Sequence, residues 1–291
     1  MIQVKELEYP SASSIEYIDG KLYLMGDDAT NLLVLDTNFN IIDSIPIIVS
    51  STQRLPKETK PDLEASAFRI DSNEVFLLGS GSLSPYRNTG WKYDLESGNK
   101  GTINLEPLYL KLKESGVEQI NIEGACFVTG RLLLVNRGNK GYPHNHLIIT
   151  DEKFLHNDSS FQLFVIPFAA QKQLASFKGI SGLCYARESD QLIMTVSTED
   201  TKNSYEDGAI GKSYLWIINN ISTKIKNKAL GEKRVIDLEY IDSRFKGQKI
   251  ESATVIGETD GLLHLAMVAD NDDGSSTVFK MSIRKTTSLA E

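Results

Sequence analysis

Residues 120–127 read INIEGACF, and the chain continues through a turn into GRLLLVN at 130–136. This is a short strand that opens on a glutamate and a glycine, then a tight turn, then a fully apolar strand. The same grammar recurs four more times. It begins as SSIEYIDGKLYLMGDD at Ser13, EASAFRIDSNEVFLLGSGS at Glu64, SGLCYARESDQLIMTVSTED at Ser181 and ESATVIGETDGLLHLAMVADNDDG at Glu251. With Glu123 included, the starts are separated by 51, 59, 58 and 70 residues. A strand-rich repeat of roughly 50–60 residues is the sequence signature of propeller blades.

Two further strands follow in most units: NLLVLD and IIDSIPIIV, GWKYDL and GTINLEPLYL, HLIITD and FQLFVIPF, SYLWIIN and RVIDLEY. The fifth unit supplies STVFKMSI and lacks a fourth strand, which IQVKELEY at the N-terminus can provide. The expectation is an all-β, five-bladed β-propeller forming a single domain over residues 1–291. Its blades start near 11, 62, 121, 179 and 249, and residues 1–10 complete the last blade. Pairing the two ends of the chain in one blade leaves no open edge. LYLM, VFLLG, LLLV, LIMTV and LLHLAMV are continuous apolar runs, as expected of strands covered on both faces. A sixth blade, as in a lactonase-like propeller, would have to lie in the long interval before Glu251. Helix is expected only at EPLYLKLKESG (106–116), ending at Gly116. Residues 198–212 and 221–234 read as polar loops or a long hairpin tip.

The first strand of each unit carries a size code. One position after the start the residue is small (Ser14, Ala65, Gly124, Gly182, Ser252), and four positions after it is bulky (Tyr17, Phe68, Phe127, Tyr185, Val255). Inner strands crowd near the axis of a propeller, so small residues allow close approach and the wider part takes aromatics. Glu16 has no charged counterpart: the equivalent residues are Ala67, Cys126, Cys184 and Thr254.

The formal net charge of −8 excludes the basic footprint of a nucleic-acid binder and of an anionic-membrane binder. No apolar run reaches the ~18 residues of a membrane span, and no signal peptide is visible at the N-terminus, so a cytoplasmic location is expected. Cys126 and Cys184 lack zinc-ligand spacing and read as buried thiols.

Equivalent starts of the inner strands form one ring around the axis: Ser13, Glu64, Glu123, Ser181 and Glu251. Three carboxylates facing one another would protonate or demand a cation. No Lys or Arg stands at a ring position. Three carboxylates and two hydroxyls are hard oxygen donors of the kind calcium takes. The alternative is a water-filled polar channel with partly protonated glutamates.

The ring order Ser, Glu, Glu, Ser, Glu over five blades resembles the soluble calcium-activated nucleotidase (apyrase) family. SSIEYIDGKLYLMGDD, EASAF, IEGACF, ISGLCYARESDQLIMTVSTED and KIESATVI resemble its inner hairpins, about half the chain. The resemblance implies a five-bladed propeller with Ca²⁺ on the axis, held by these five residues. The chain also resembles bacterial propellers described as phytase-like or esterase-like. It departs from the nucleotidases at Ala65, where they have Trp, at GSGSLSPY, where they have a Gly-Lys-Glu-Trp loop, and at Asn136-Arg137, where they have paired arginines.

Loops leaving the second strands surround the mouth of the channel where the ring lies. They carry Asp27, Asp28, Arg87, Arg137, His144, His146, Glu199, Asp200, Asp270 and Asp272. For a calcium-dependent hydrolase of phosphate or other esters, Arg137 is the candidate phosphate clamp and Asp27 or Asp28 the candidate base. Metal ligation by His144 and His146 is a lesser alternative. The competing expectation is a non-catalytic propeller with a structural axial calcium. Its rim would then hold a small-molecule or protein ligand.

Overall fold

Strand β1 (Gln3–Leu7) precedes the first complete blade, β2 (Ala12–Ile18), β3 (Lys21–Gly26), β4 (Asn31–Asp36) and β5 (Ile41–Pro46), in a computed structural model that describes residues 2–168, 177–199, 210–271 and 273–285. Blade two is β6 (Leu63–Arg69), β7 (Glu74–Gly79), β8 (Thr89–Asp94) and β9 (Lys100–Asn104), followed by helix α1 (Glu106–Glu114). Blade three is β10 (Ile122–Val128), β11 (Arg131–Asn136), β12 (His146–Thr150) and β13 (Leu163–Pro167). Blade four is β14 (Phe177–Ala186), β15 (Gln191–Glu199), β16 (Ile210–Asn219) and β17 (Arg234–Asp237). Helix α2 (Ile221–Asn227) precedes β17 and helix α3 (Leu238–Ile241) follows it. Blade five is β18 (Lys249–Thr259), β19 (Leu262–Asp270) and β20 (Ser276–Arg284), with β1 as its outer strand.

Each blade is a four-stranded antiparallel sheet, and five of them make a five-bladed β-propeller. β1 pairs with β20 from Gln3 opposite Lys280 to Leu7 opposite Ser276. Ser276 reinforces the junction: its hydroxyl donates to the Tyr9 carbonyl and accepts from the Ala12 amide. Among the described residues there is no sixth sheet. The interval before Glu251 holds the long β14–β16 strands, α2, β17 and α3.

Two local expectations are corrected. Residues 221–227 form α2, which buries Ile221 and Ile225. In RVIDLEY only Arg234–Asp237 is strand, because the Asp237 carboxylate accepts from the Tyr240 amide and caps α3. Helix α1 stands where it is expected, with Leu108, Tyr109 and Leu112 buried.

The apolar strands are explained by blade stacking. On β7, Val75 and Leu77 pack with the core of blade one, while Phe76 and Leu78 pack with that of blade three. On β15, Ile193 packs toward blade five, and Leu192, Met194 and Val196 toward blade three. Period-two alternation thus divides each strand between two neighbours rather than between core and water.

The small residues of the size code mark where inner strands touch. A Cβ on Gly124 would lie 2.7 Å from the Leu183 amide nitrogen and 2.8 Å from Gly182 backbone atoms. A Cβ on Gly182 would lie 2.6 Å from the Glu251 carbonyl oxygen. No side chain fits there.

Candidate functional site at the narrow channel mouth

All five inner strands slip register at the same place. The pairing shifts between Ala12 and Ser14, Leu63 and Ala65, Ile122 and Gly124, Ile180 and Gly182, and Ile250 and Ser252. The skipped residues are Ser13, Glu64, Glu123, Ser181 and Glu251, the ring read from the sequence. A bulge leaves its extra residue out of the ladder and re-aims its side chain. The period-two pattern of a single strand does not disclose it.

Glu64 feels both other ring glutamates. Burial first, then Asp62, Glu123, Asp27 and Glu251, hold its carboxyl well above the usual carboxylate range. Ser13 donates its hydroxyl to the Ser11 carbonyl, and Ser181 donates to the Ile250 carbonyl at 2.8 Å.

No ring position holds a base, but basic side chains reach the ring carboxylates from outside it. Arg137, from the loop after β11, places Nη1 3.3 Å from Glu123 Oε2 and donates through Nη2 to Ser197. Asn121 donates to the other Glu123 oxygen at 2.6 Å. Lys249 Nζ lies 2.8 Å from Glu251 Oε1. Lys60 joins Asp27 to Asp62, its Nζ 3.0 Å from Asp62 Oδ1, and Arg87 pairs with the second Asp62 oxygen. Lys60, Arg87 and Arg137 reach the axis from loops and connections, and Lys249 stands two residues before the ring residue Glu251.

That second tier reads Ser11, Asp62, Asn121, Gly179 and Lys249. Its members stand at one fixed position in the repeat, two residues before the ring, which was the available signal for Asp62. Gly179 belongs to it because a Cβ there would come within 2.3 Å of Arg137 Nε. Asp62 has φ +57°, a left-handed conformation that Asp tolerates better than most residues.

Asp27, Asp62 and Glu64 each offer one carboxylate oxygen within 4.8 Å of the others, and among the described residues this is the one such cluster of potential ligands. Burial first lifts the Asp27 carboxyl from its ordinary 3.8 to about 6; Lys60 opposes the rise, and Asp62 and Asp28 add to it. Burial opposes the charge on Lys60, yet Asp27, Asp62 and Glu64 together hold its pKa above the ordinary lysine value. Asp27 Oδ1 is buried without a hydrogen-bond partner.

The other sequence candidates fall as follows. Asp28 is buried and bound by Arg54, whose Nε lies 2.8 Å from Oδ2. His146 stacks on Tyr142 and His144 meets the same ring edge-on, the two imidazole centroids 6.3 Å apart, and burial followed by His144 lowers the His146 pKa. Asp270 is buried at the end of β19. Asp200, Asp272 and the Glu199 side chain lie outside the described residues.

Over residues 8–283 the sequence matches DUF6929, a family of unknown function. The chain belongs to that family. No curated protein matches the sequence. Among solved structures, the DUF6929 chain is similar to a GH43 β-1,3-galactosidase with galactodeoxynojirimycin. The two share 12% identity over 96% of this chain and 91% of that one, with a TM-score of 0.55. It is also similar to a virginiamycin B lyase from Staphylococcus aureus, 8% identical over 97% and 100% of the two chains, with a TM-score of 0.45. At such identities the likeness concerns the fold alone. Within this DUF6929 structure, no helix of the described residues is long and apolar enough to cross a membrane.

Glu16 lies on the same inner strand as Ser13, toward the other end of the channel. One of its oxygens accepts from Ser66 at 2.9 Å. Burial first raises its carboxyl from the ordinary 4.5 to about 7, with the Ser66 bond opposing. A carboxyl with a raised folded-state pKa costs stability as pH climbs from 4.5 toward 7 and thereafter at a constant level. The rise corresponds to about 3 kcal/mol. Glu16→Gln should therefore match the wild type at pH 4.5 and exceed it at pH 8 by roughly that amount in urea unfolding. Equal stabilities at pH 8 would contradict the burial cost.

Proposed function

We propose that this propeller takes up a divalent cation of the calcium class at the narrow mouth of its channel, on Asp27, Asp62 and Glu64. Glu123, Glu251, Ser13 and Ser181 surround that position as further oxygen donors. The reading is supported by the convergence of three carboxylates within 4.8 Å, one oxygen of Asp27 being buried without a hydrogen-bond partner. Hard oxygen donors of this number suit calcium. Lys60 already spans Asp27 and Asp62, so ammonium and ion compete for the same oxygens.

In this reading the ion pins the blades at the axis, and the mouth above it binds a small-molecule or protein ligand. The second reading draws on the resemblance to the calcium-activated nucleotidases: a calcium-dependent hydrolase of phosphate or other esters. There the ion would polarise the substrate oxygen and Arg137 would meet the anion. The burial of Arg137 against Glu123 and Ser197 favours the first reading.

Thermal unfolding tests it. Protein stripped with chelator and then titrated with Ca²⁺ should gain about 3 kcal/mol at a hundredfold excess over Kd. That is a rise of roughly 5 °C for a domain of this size. Asp62→Asn and Glu64→Gln, each still folded by circular dichroism, should lose the rise. No shift with Ca²⁺ or Mg²⁺ would remove the ion from the channel. Calcium-dependent turnover of a nucleoside diphosphate or p-nitrophenyl ester, abolished in Arg137→Met, would promote the hydrolase over the binding protein.

A further inference from the structure

At the end of the channel away from the ring, the inner strands open into a cavity of 560 Å³. Its walls are the bulky positions of the size code, Tyr17, Phe68, Phe127 and Tyr185, all half-buried. Cys126, Cys184 and Thr254 lie deeper, and Glu16 shares their position in the repeat. Three lining residues carry formal charge. Asp19 and Arg187 are exposed at the rim and opposite in sign, which leaves Glu16 as the inner charge.

The fold has no need of that carboxyl. The four equivalent inner-strand positions hold Ala67, Cys126, Cys184 and Thr254, and each pairs with its second strand in the same way without a carboxyl. An ionisable group kept in an aromatic-walled cavity at a cost to stability points to a ligand. Only one of its oxygens is used internally, by Ser66. The two thiols do not join it as metal ligands: among the described residues, three ligand atoms come close enough to share an ion only at Asp27, Asp62 and Glu64.

We propose that this cavity binds a small organic cation, a primary or secondary ammonium on a short apolar body. The ammonium sits on Glu16 and the body lies among Tyr17, Phe68, Phe127 and Tyr185. Aromatic faces attract cations as well as apolar groups, and a carboxylate supplies the counter-charge. The volume falls within the ~300–1,000 Å³ of small-molecule sites. An anionic ligand would meet Glu16 as a like charge, with Arg187 offering help only at the rim. The proposal stands apart from the axial-cation reading, which concerns the other end of the channel.

The test uses the whole chain at pH 8 and three probes of one shape: phenethylamine, 2-phenylethanol and phenylacetate. Ligand-observed NMR should show phenethylamine binding at least tenfold more tightly than 2-phenylethanol, and no binding of phenylacetate. Glu16→Gln should erase the preference for the amine while leaving the alcohol unchanged. Bound phenethylamine should also slow modification of Cys126 and Cys184 by a methanethiosulfonate reagent, read by mass spectrometry, which locates the probe in this cavity. Absence of amine binding, an amine preference that survives in Glu16→Gln, tighter binding of phenylacetate, or unprotected thiols would each overturn the proposal.

Discussion

Deletion of residues 2–7 should leave the purified chain largely unfolded or associated at 25 °C. β1 is the fourth strand of blade five, and all of its ladder bonds go to β20. Leu7 is buried, and Ile2 and Val4 pack on the core shared with blade four. Truncating one buried leucine costs about 2–5 kcal/mol. Losing three apolar side chains and a whole ladder approaches the ~5–15 kcal/mol that holds a typical domain together. The deletion would also bare β20, a long apolar edge of the kind that pairs with other chains. Size-exclusion chromatography and circular dichroism read both consequences, and a synthetic peptide of residues 2–8 should restore monomer by strand addition. A monomeric variant melting within a few degrees of the wild type would show that the ring holds without its closure.

Lys60→Met should cost about 3–5 kcal/mol at pH 8 in the absence of divalent cations, because it strands buried carboxylates without their ammonium. Asp27 and Asp62 would then face each other and Glu64, with the Arg87 guanidinium still beside Asp62. The pH dependence follows from Asp27. Its folded-state pKa already lies near 6 against an ordinary 3.8, so folding loses stability as pH rises across that window. Removing Lys60, which opposes the rise, extends the loss to higher pH. The deficit of the variant should therefore shrink below pH 6, where protons take the place of the ammonium. If the axial-cation reading is correct, Ca²⁺ should also rescue the variant more than it stabilises the wild type. A variant as stable as the wild type at pH 8 without ion would mean that Lys60 does not neutralise this cluster.

The blades were legible because each unit repeats one pattern of strand, turn and apolar strand, and because the chain ends supply complementary strands. The size code was legible because steric demand at an axis is written in single residues: glycines at 124 and 182, aromatics at 17, 68, 127 and 185. The ring positions were legible as equivalent starts, but their neutralisation was not. Lys60 comes from the connection between blades, Arg87 and Arg137 from loops, and long flexible side chains reach partners that no repeat position names. Asp62 was within reach, two residues before Glu64 at a fixed position of the repeat. The bulges were not, since a skipped ladder partner leaves no mark on composition. Residues 221–227 and 238–241 read as polar or strand-like; the first became helical by burying Ile221 and Ile225, the second under the Asp237 cap. Glu16 broke the code in the sequence and lines a cavity in the structure.

The closure of the ring also sets the order in which the molecule can be completed. Lys5 and Val278 are paired across 273 residues (278 − 5). Joining ends so far apart costs about 5 kcal/mol of chain entropy, incurred once and late. During synthesis the segment that must wait is QVKEL, which is short, charged and half-exposed even when paired. The apolar STVFKMSIR emerges after every other blade strand, when its partner is already waiting. The chain therefore exposes its safest strand for the longest time and its stickiest edge for the shortest.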